Sequence, residues 1–440
     1  MILQRKLENG TRVIMEPIEG VRSVSLGFWV NAGSIYESGQ NAGVSHFIEH
    51  MLFKGTPKRS AKQIAAEIDG VGGNINAFTA KECTCYYIKV LDEHLETAVD
   101  MLCDILLNSN LSEEELEREK GVVCEEIFMT EDSPEDLVFE TGSSLFFVGT
   151  SLERPILGSS ETVRAFTAQD LRDYMDKHYT AENIVIACAG SFDPERLFGL
   201  LSTHFAACKG SEKLTPVEHE QRNGFRTAFV QKDIEQVHTC LAFPAFALET
   251  DEHYALAILS NILGGSMSSR LFQTIREERG LAYSVYTYPL SYCRIGSLSA
   301  YAGSGEGQAV DVLRLMLEVL EDVIANGVSE EEFTRSKEQL KGNYLLGLES
   351  AGSKMNALGK SLLLQDQEYC PEKTLARIEN VTIHDIIQIV PQVLAGDTFT
   401  CAAVGRVENH KAAMHELLEN WWKNHGQTGT DICPAEQTGP

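Results

Sequence analysis

One order of elements occurs twice in this chain, and that repetition restricts the fold more than any other feature. Residues 22–33 (VRSVSLGFWVNA) alternate as a half-buried strand. A short helix over 43–55 follows, then a strongly amphipathic helix over 60–70 stopped by Gly70, Gly72 and Gly73. NINAFTAKECTCYYIKV reads as two paired strands or one long bent one, and another helix covers 92–108. Beyond residue 224 the same order returns: strand QVHTCLAFPAF, helix YALAILSNILGG, helix SSRLFQTIREERG, strands LAYSVYTY and SLSAYAG, and a helix over 307–326. Such a repeat predicts a duplicated molecule of α+β class, each half a mainly antiparallel sheet packed by helices.

The expected layout is a first domain over 1–210, a polar linker over 211–224 that contains Pro216, a second domain over 225–425 and a disordered tail over 426–440. At 440 residues the chain is long enough for two cores.

The helix over 43–55 (GVSHFIEHMLFKG) carries two faces. Val44, Phe47, Ile48 and Met51 fall on one stripe and suit a core. His46, Glu49 and His50 fall on the other. Two histidines four apart can grip one zinc ion, and a glutamate beside them can take a proton from water. The order is H-x-x-E-H, which a chain of this composition contains by chance on the order of a few hundredths of a time. Aligning Lys54-Gly55 with Gly264-Gly265 places Leu256, Leu259 and Ser260 at the corresponding positions of the second copy. That copy lacks the metal-binding side chains.

A zinc hydrolase needs a third protein ligand and an open fourth position. The sequence from Leu111 to Thr130 opens a helix at Ser112, with Glu115 three residues on as the other half of a capping box. On it Glu119 and Glu126 stand seven apart and so share a face. The same helix also carries Glu113, Glu114, Glu115, Glu117 and Glu125, and the residues alone leave the choice among them open.

The net charge of −27 excludes a nucleic-acid binder, which needs a basic footprint. Read alone it is solvated acidic surface; read with the metal motif it also suits a chamber for basic peptides. No stretch approaches the 18 to 20 apolar residues, roughly, of a membrane span, and the amino terminus reads as strand, Asn-Gly turn and strand. The eleven cysteines show no framework spacing, so reduced thiols and a cytoplasmic location are expected.

Four segments together, H-F-I-E-H, E-R-E-K-G-V-V-C-E-E-I, G-G-N-I-N-A-F-T and R-E-E-R-G-L-A-Y-S-V, resemble the pitrilysin family of inverzincin metallopeptidases, and within it the processing-peptidase branch. The resemblance extends from about Gln4 to Trp422. It implies a clam-shell of two similar domains around a peptide cavity. It implies one zinc ion per chain on His46, His50 and Glu126, the last lying 76 positions after the second histidine. Glu49 is then the general base, and Glu119, seven before Glu126, is a carboxylate that supports the site. Asn76, Ala77 and Thr79 match an edge strand that holds substrate by strand addition, and Arg276 and Tyr283 match a pair that contacts substrate from the second domain.

The expected activity is therefore a zinc-dependent endopeptidase acting on unfolded peptides or extended termini, as a homodimer. Its rivals are a non-catalytic scaffold of the same fold and a subunit that cuts only with a partner chain.

Overall fold

The computed structural model describes residues 1–210, 214, 223–367 and 369–426. The linker expected over 211–224 and the tail expected over 426–440 lie outside the described residues, apart from Leu214, Asn223, Gly224 and Gly426.

Among the described residues, strands form two sheets. The first contains β1 (Leu3–Lys6), β2 (Arg12–Pro17), β3 (Ser23–Val30), β4 (Asn74–Thr79), β5 (Thr84–Leu91) and β6 (Ile184–Gly190), in the spatial order β1-β2-β6-β3-β5-β4. The second contains β7 (Gly224–Gln231), β8 (Gln236–Ala245), β9 (Ala282–Ser291), β10 (Gly296–Gly305) and β11 (Thr398–Gly405), in the order β7-β11-β8-β10-β9. With β1 set aside, the two orders coincide strand for strand. Each sheet has a single parallel pair at the same place, β2 with β6 and β7 with β11. The duplication inferred from the order of elements is thus present as a repeated topology.

The first helices along the chain are α1 (Val44–Leu52), α2 (Ala61–Gly70), α3 (Leu95–Asn108), α4 (Glu113–Asp132) and α5 (Pro134–Phe146). Ser60 caps α2 with the full reciprocal capping box to Gln63. At α4 the Ser112 hydroxyl accepts from the Glu115 amide at 3.4 Å, while the Glu115 carboxylate takes Arg118.

Two compact units emerge among the described residues, and neither is one unbroken half of the chain. The first draws on residues 1–128, 154–217 and 345–370, the second on 129–153, 218–344 and 371–440. The boundaries expected from the sequence, 1–210 and 225–425, miss this because each sheet recruits one helix from the other half. Helix α5 packs on β8 and β11, and the helix Ala351–Leu364 packs on β2, β3 and β6.

The recruited helix corrects a second expectation. Strand β3 is buried from Val24 to Val30, not half-buried. Its Val24, Leu26, Phe28 and Val30 join the core under α1 and α3, whereas Trp29 joins a separate core with Met355, Leu358 and Leu362 of the recruited helix. The fit is close: a Cβ on Gly27 would lie 2.3 Å from the Met355 sulfur, and one on Gly359 would lie 2.1 Å from the Trp29 ring nitrogen. Two glycines let backbone and side chain approach where any other residue would separate them.

In the second unit the helix Glu252–Ser260 continues as a π-helical stretch at Asn261–Gly265, and the helix expected across SSRLFQTIREERG is present, wound as a π-helix over Phe272–Glu277. Turns of this width keep an apolar spacing close to that of a regular helix, so periodicity does not separate them. No helix among the described residues is long and apolar enough to cross a membrane.

Candidate metal centre

Helix α1 is short and starts without a side-chain cap of its own. Gly43 precedes it at φ +92°, and a Cβ there would come within 2.5 Å of the Leu157 carbonyl oxygen. The first-turn amides are held instead by Glu37, whose carboxylate accepts from Gly43 N at 2.7 Å and Ser45 N at 2.9 Å. Glu37 is buried, and burial raises its pKa against the pull of those two amides. A carboxylate at a helix N-terminus complements the backbone dipole there and fixes where the helix begins. Nothing in the sequence around Glu37 announces this.

The core face of α1 is as expected: Val44, Phe47, Ile48, Met51 and Leu52 are buried. The opposite face brings its two imidazoles into edge contact, ring centres 4.6 Å apart. Both aim Nε2 at one oxygen of α4, Glu126 Oε2, at 3.5 Å from His46 and 3.4 Å from His50. The three ligand atoms all lie within 4.8 Å of one another. Around a tetrahedral zinc ion with bonds of about 2.0–2.1 Å, ligand atoms stand roughly 3.3–3.4 Å apart. The two nitrogen-to-oxygen separations match that spacing, and two imidazole nitrogens with a carboxylate oxygen are the donor set of hydrolytic zinc sites.

Electrostatics agree. Burial, with His50 close by, pushes the His46 imidazole down to about 4, so it is neutral at pH 7 and offers a lone pair. Burial lowers His50 too, but the Glu119 and Glu126 carboxylates outweigh it and push the imidazole up to about 9. The field that holds a proton there also favours a divalent cation. Glu126 is held below the ordinary carboxylate range, chiefly by His50.

Glu119, two turns before Glu126, is almost fully buried. Its Oε1 lies 2.8 Å from His50 Nδ1, and its Oε2 lies 2.6 Å from Lys54 Nζ. Accepting from Nδ1–H fixes the tautomer that leaves Nε2 free for a metal. Glu119, expected as a supporting carboxylate, thus stands against His50 and Lys54.

Glu49 lies between the histidines in sequence, and burial raises its pKa. Thr79, at the end of β4, donates from Oγ1 to Glu49 Oε2 at 2.5 Å. Sequence reasoning put Thr79 on the substrate edge and missed its contact with Glu49.

Strand β4 pairs only with β5 and is an edge of the first sheet. The hairpin closes with Ala80 N donating to Cys83 O, so in the alternating antiparallel pattern the backbone groups of Ala77 and Thr79 face the free side. The Ala77 amide is met by the neighbouring Asn76 side chain at 2.9 Å. The first unit therefore gathers His46, Glu49, His50, Glu119, Glu126 and Thr79, with Asn76 and Ala77 on the adjoining edge.

Arg276 and Tyr283 belong to the second unit. The Arg276 guanidinium lies over the Tyr283 ring, 4.5 Å from its centre, and donates to the Tyr283 carbonyl at 3.0 Å. Tyr283 is 76% exposed on the edge strand β9. At the positions matching the metal ligands, Leu256, Leu259 and Ser260 are all buried, and Ser260 bonds Thr287 at 3.0 Å.

A duplicated sheet-and-helix fold with an H-x-x-E-H helix and a distant glutamate defines a class of metal-dependent hydrolases. Two family models match, insulinase (peptidase family M16) over residues 12–160 and the peptidase M16 inactive domain over residues 165–340. The chain is 40% identical over 399 residues to the zinc protease YmxG of Bacillus subtilis, covering 90% of this chain and 97% of that one. It is 39% identical over 420 residues to a zinc protease of Streptomyces coelicolor, covering 94% and 91%. The chain belongs to peptidase family M16. Solved structures share the fold: a protease from Helicobacter pylori, with TM-score 0.87 at 22% identity over 92% of this chain and 99% of that one, and a peptidase M16 inactive domain from Pseudomonas fluorescens, with TM-score 0.85 at 18% identity over 92% and 98%.

Proposed function

We propose that this protein is a zinc-dependent endopeptidase that cleaves unfolded peptides or extended termini, in the manner of a processing peptidase. The observation that carries the reading is the convergence of His46, His50 and Glu126 on one point, with Glu49 beside them and a free sheet edge adjoining. Zinc, when bound by those three residues, supplies a Lewis acid that polarises water and the scissile carbonyl.

The chain's own residues do the rest. An extended peptide adds to β4 through the outward backbone groups of Ala77 and Thr79, and the Asn76 side chain gives up the Ala77 amide to it. Main-chain pairing accepts any sequence in extended form, which suits unfolded substrates. Glu49 takes the proton of the attacking water and returns it to the leaving amine. Its pKa, raised by burial, suits a group that must take up that proton. Arg276 and Tyr283 contact the substrate from the second unit, and the exposure of Tyr283 supports that role.

The net charge of −27 favours basic peptides as the substrate class. Buried free thiols such as Cys83, Cys85, Cys188 and Cys401 support a reducing, cytoplasmic setting. The active form we propose is a homodimer with one zinc per chain.

The test uses the purified chain with an unstructured peptide. We expect one zinc per chain, a dimer mass on size exclusion, and in Glu49→Gln retained zinc with hydrolysis reduced by about 10² to 10⁴. Wild-type turnover by Glu49→Gln would refute the mechanism, and absence of turnover by the single chain with zinc bound would favour the partner-dependent subunit.

A further inference from the structure

His50 is aimed by Glu119, and the residue that aims Glu119 is one the activity itself does not call for. We propose that Lys54 is a positioning residue of the metal centre, holding Glu119 in the plane that directs His50 at the metal. The proposal rests on the reading that His46, His50 and Glu126 bind zinc.

Lys54 lies just beyond α1, yet it keeps the helix phase. The amides of Phe53 and Lys54 still bond to the His50 and Met51 carbonyls at 3.3 and 3.1 Å. Lys54 thus stands one turn past His50 on the same side. From there its ammonium reaches Glu119 Oε2 at 2.6 Å, while the other oxygen takes His50 Nδ1 at 2.8 Å. Glu119 is 3% exposed, so water supplies little solvation or restraint. The torsion that turns a glutamate's carboxylate is broad and soft. A carboxylate anchored at one oxygen can rotate about that contact, and one anchored at both cannot. The lysine also compensates the Glu119 charge when a metal on Nε2 leaves the His50 ring without its second proton. One short loop residue therefore couples the end of α1 to α4 through the same carboxylate that orients the ligand.

A merely structural role makes a different prediction. Neutralising buried Glu119 would stabilise the fold and leave the metal's affinity unchanged. The experiment strips the full-length protein of metal and titrates zinc against a chromophoric competing chelator, recording thermal midpoints of the metal-free forms alongside. Lys54→Met should bind zinc about tenfold more weakly than wild type, at the low end of the span for partners outside the ligand set. Lys54→Arg, which keeps a cation in reach of Glu119, should recover most of the loss. Lys54→Met combined with Glu119→Gln should bind no more weakly than Glu119→Gln alone, because the lysine acts through that carboxylate.

A lowered thermal midpoint with wild-type zinc affinity in Lys54→Met overturns the proposal, and so do additive losses in the double variant. Should Lys54→Met not fold, Lys54→Gln carries the same comparison. If the wild-type protein takes up no zinc, the metal reading falls first and this inference with it. If wild type binds zinc and His46→Ala does not, the metal reading stands and the Lys54 variants decide this inference alone.

Discussion

Thr79 joins the two halves of the proposed chemistry, because one side chain belongs to the free sheet edge and bonds the carboxylate that moves protons. Replacing it by valine keeps the shape and removes the hydroxyl. Loss of a hydrogen bond to a charged group costs about 1.5–3 kcal/mol, so kcat on a model peptide should fall roughly ten- to a hundredfold. Thr79→Ser should retain most of the rate. A raised KM with unchanged kcat in Thr79→Val would place the residue in substrate binding alone. At this scale the sequence was readable where contacts are local. His46, Glu49 and His50 declare themselves by helical spacing, whereas Glu126 is one of many glutamates on α4 and stood out only through the family's spacing. Glu37, Thr79 and Lys54 act through tertiary contacts at 6 to 65 positions of separation, and no local periodicity records those.

The elements were readable in kind and less so in surroundings. Strand β3 was expected to show one face to water because Ser23, Ser25 and Gly27 alternate with Val24, Leu26 and Phe28. Both faces are covered, and the second cover arrives from residues 351–364. Gly359→Ala tests how close that cover lies. Its methyl would meet the Trp29 ring at 2.1 Å, and overpacking of this kind costs about 1–3 kcal/mol, measurable as a lower denaturant midpoint. Gly70, at the end of α2, has nothing within 4 Å of an added Cβ and serves as the control, with no loss expected from Gly70→Ala. Equal midpoints for the two variants would mean that the helix yields easily. The helices at Asn261–Gly265 and Phe272–Glu277 were readable as helix but not in their π winding, since one turn is too short for the wider period to show.

For the whole molecule, the repeat of elements predicted the repeat of topology, and the strand orders agree once β1 is set aside. The cut between halves was not readable, because an exchange of helices leaves no mark on the order of elements. Its consequence is testable by truncation. A fragment of residues 1–210 lacks the helix that covers Trp29, Val185 and Ala187. It should bind a hydrophobic dye and melt without a cooperative transition, and fusing residues 345–370 to it should restore one. Cooperative melting of the bare fragment with wild-type stability would show the recruited helix to be dispensable.

The same exchange orders events during synthesis. The last strand of the first sheet, β6, leaves the ribosome long before residue 364 does. At about 5–20 residues per second the interval is roughly 10 to 35 s. Throughout it the nascent chain can already form the helix that bears His46 and His50, while the far side of its sheet stays bare. The half that carries α1 is translated before the other yet is sealed only after residue 364, which makes that interval the moment when nascent-chain chaperones have an apolar surface to hold.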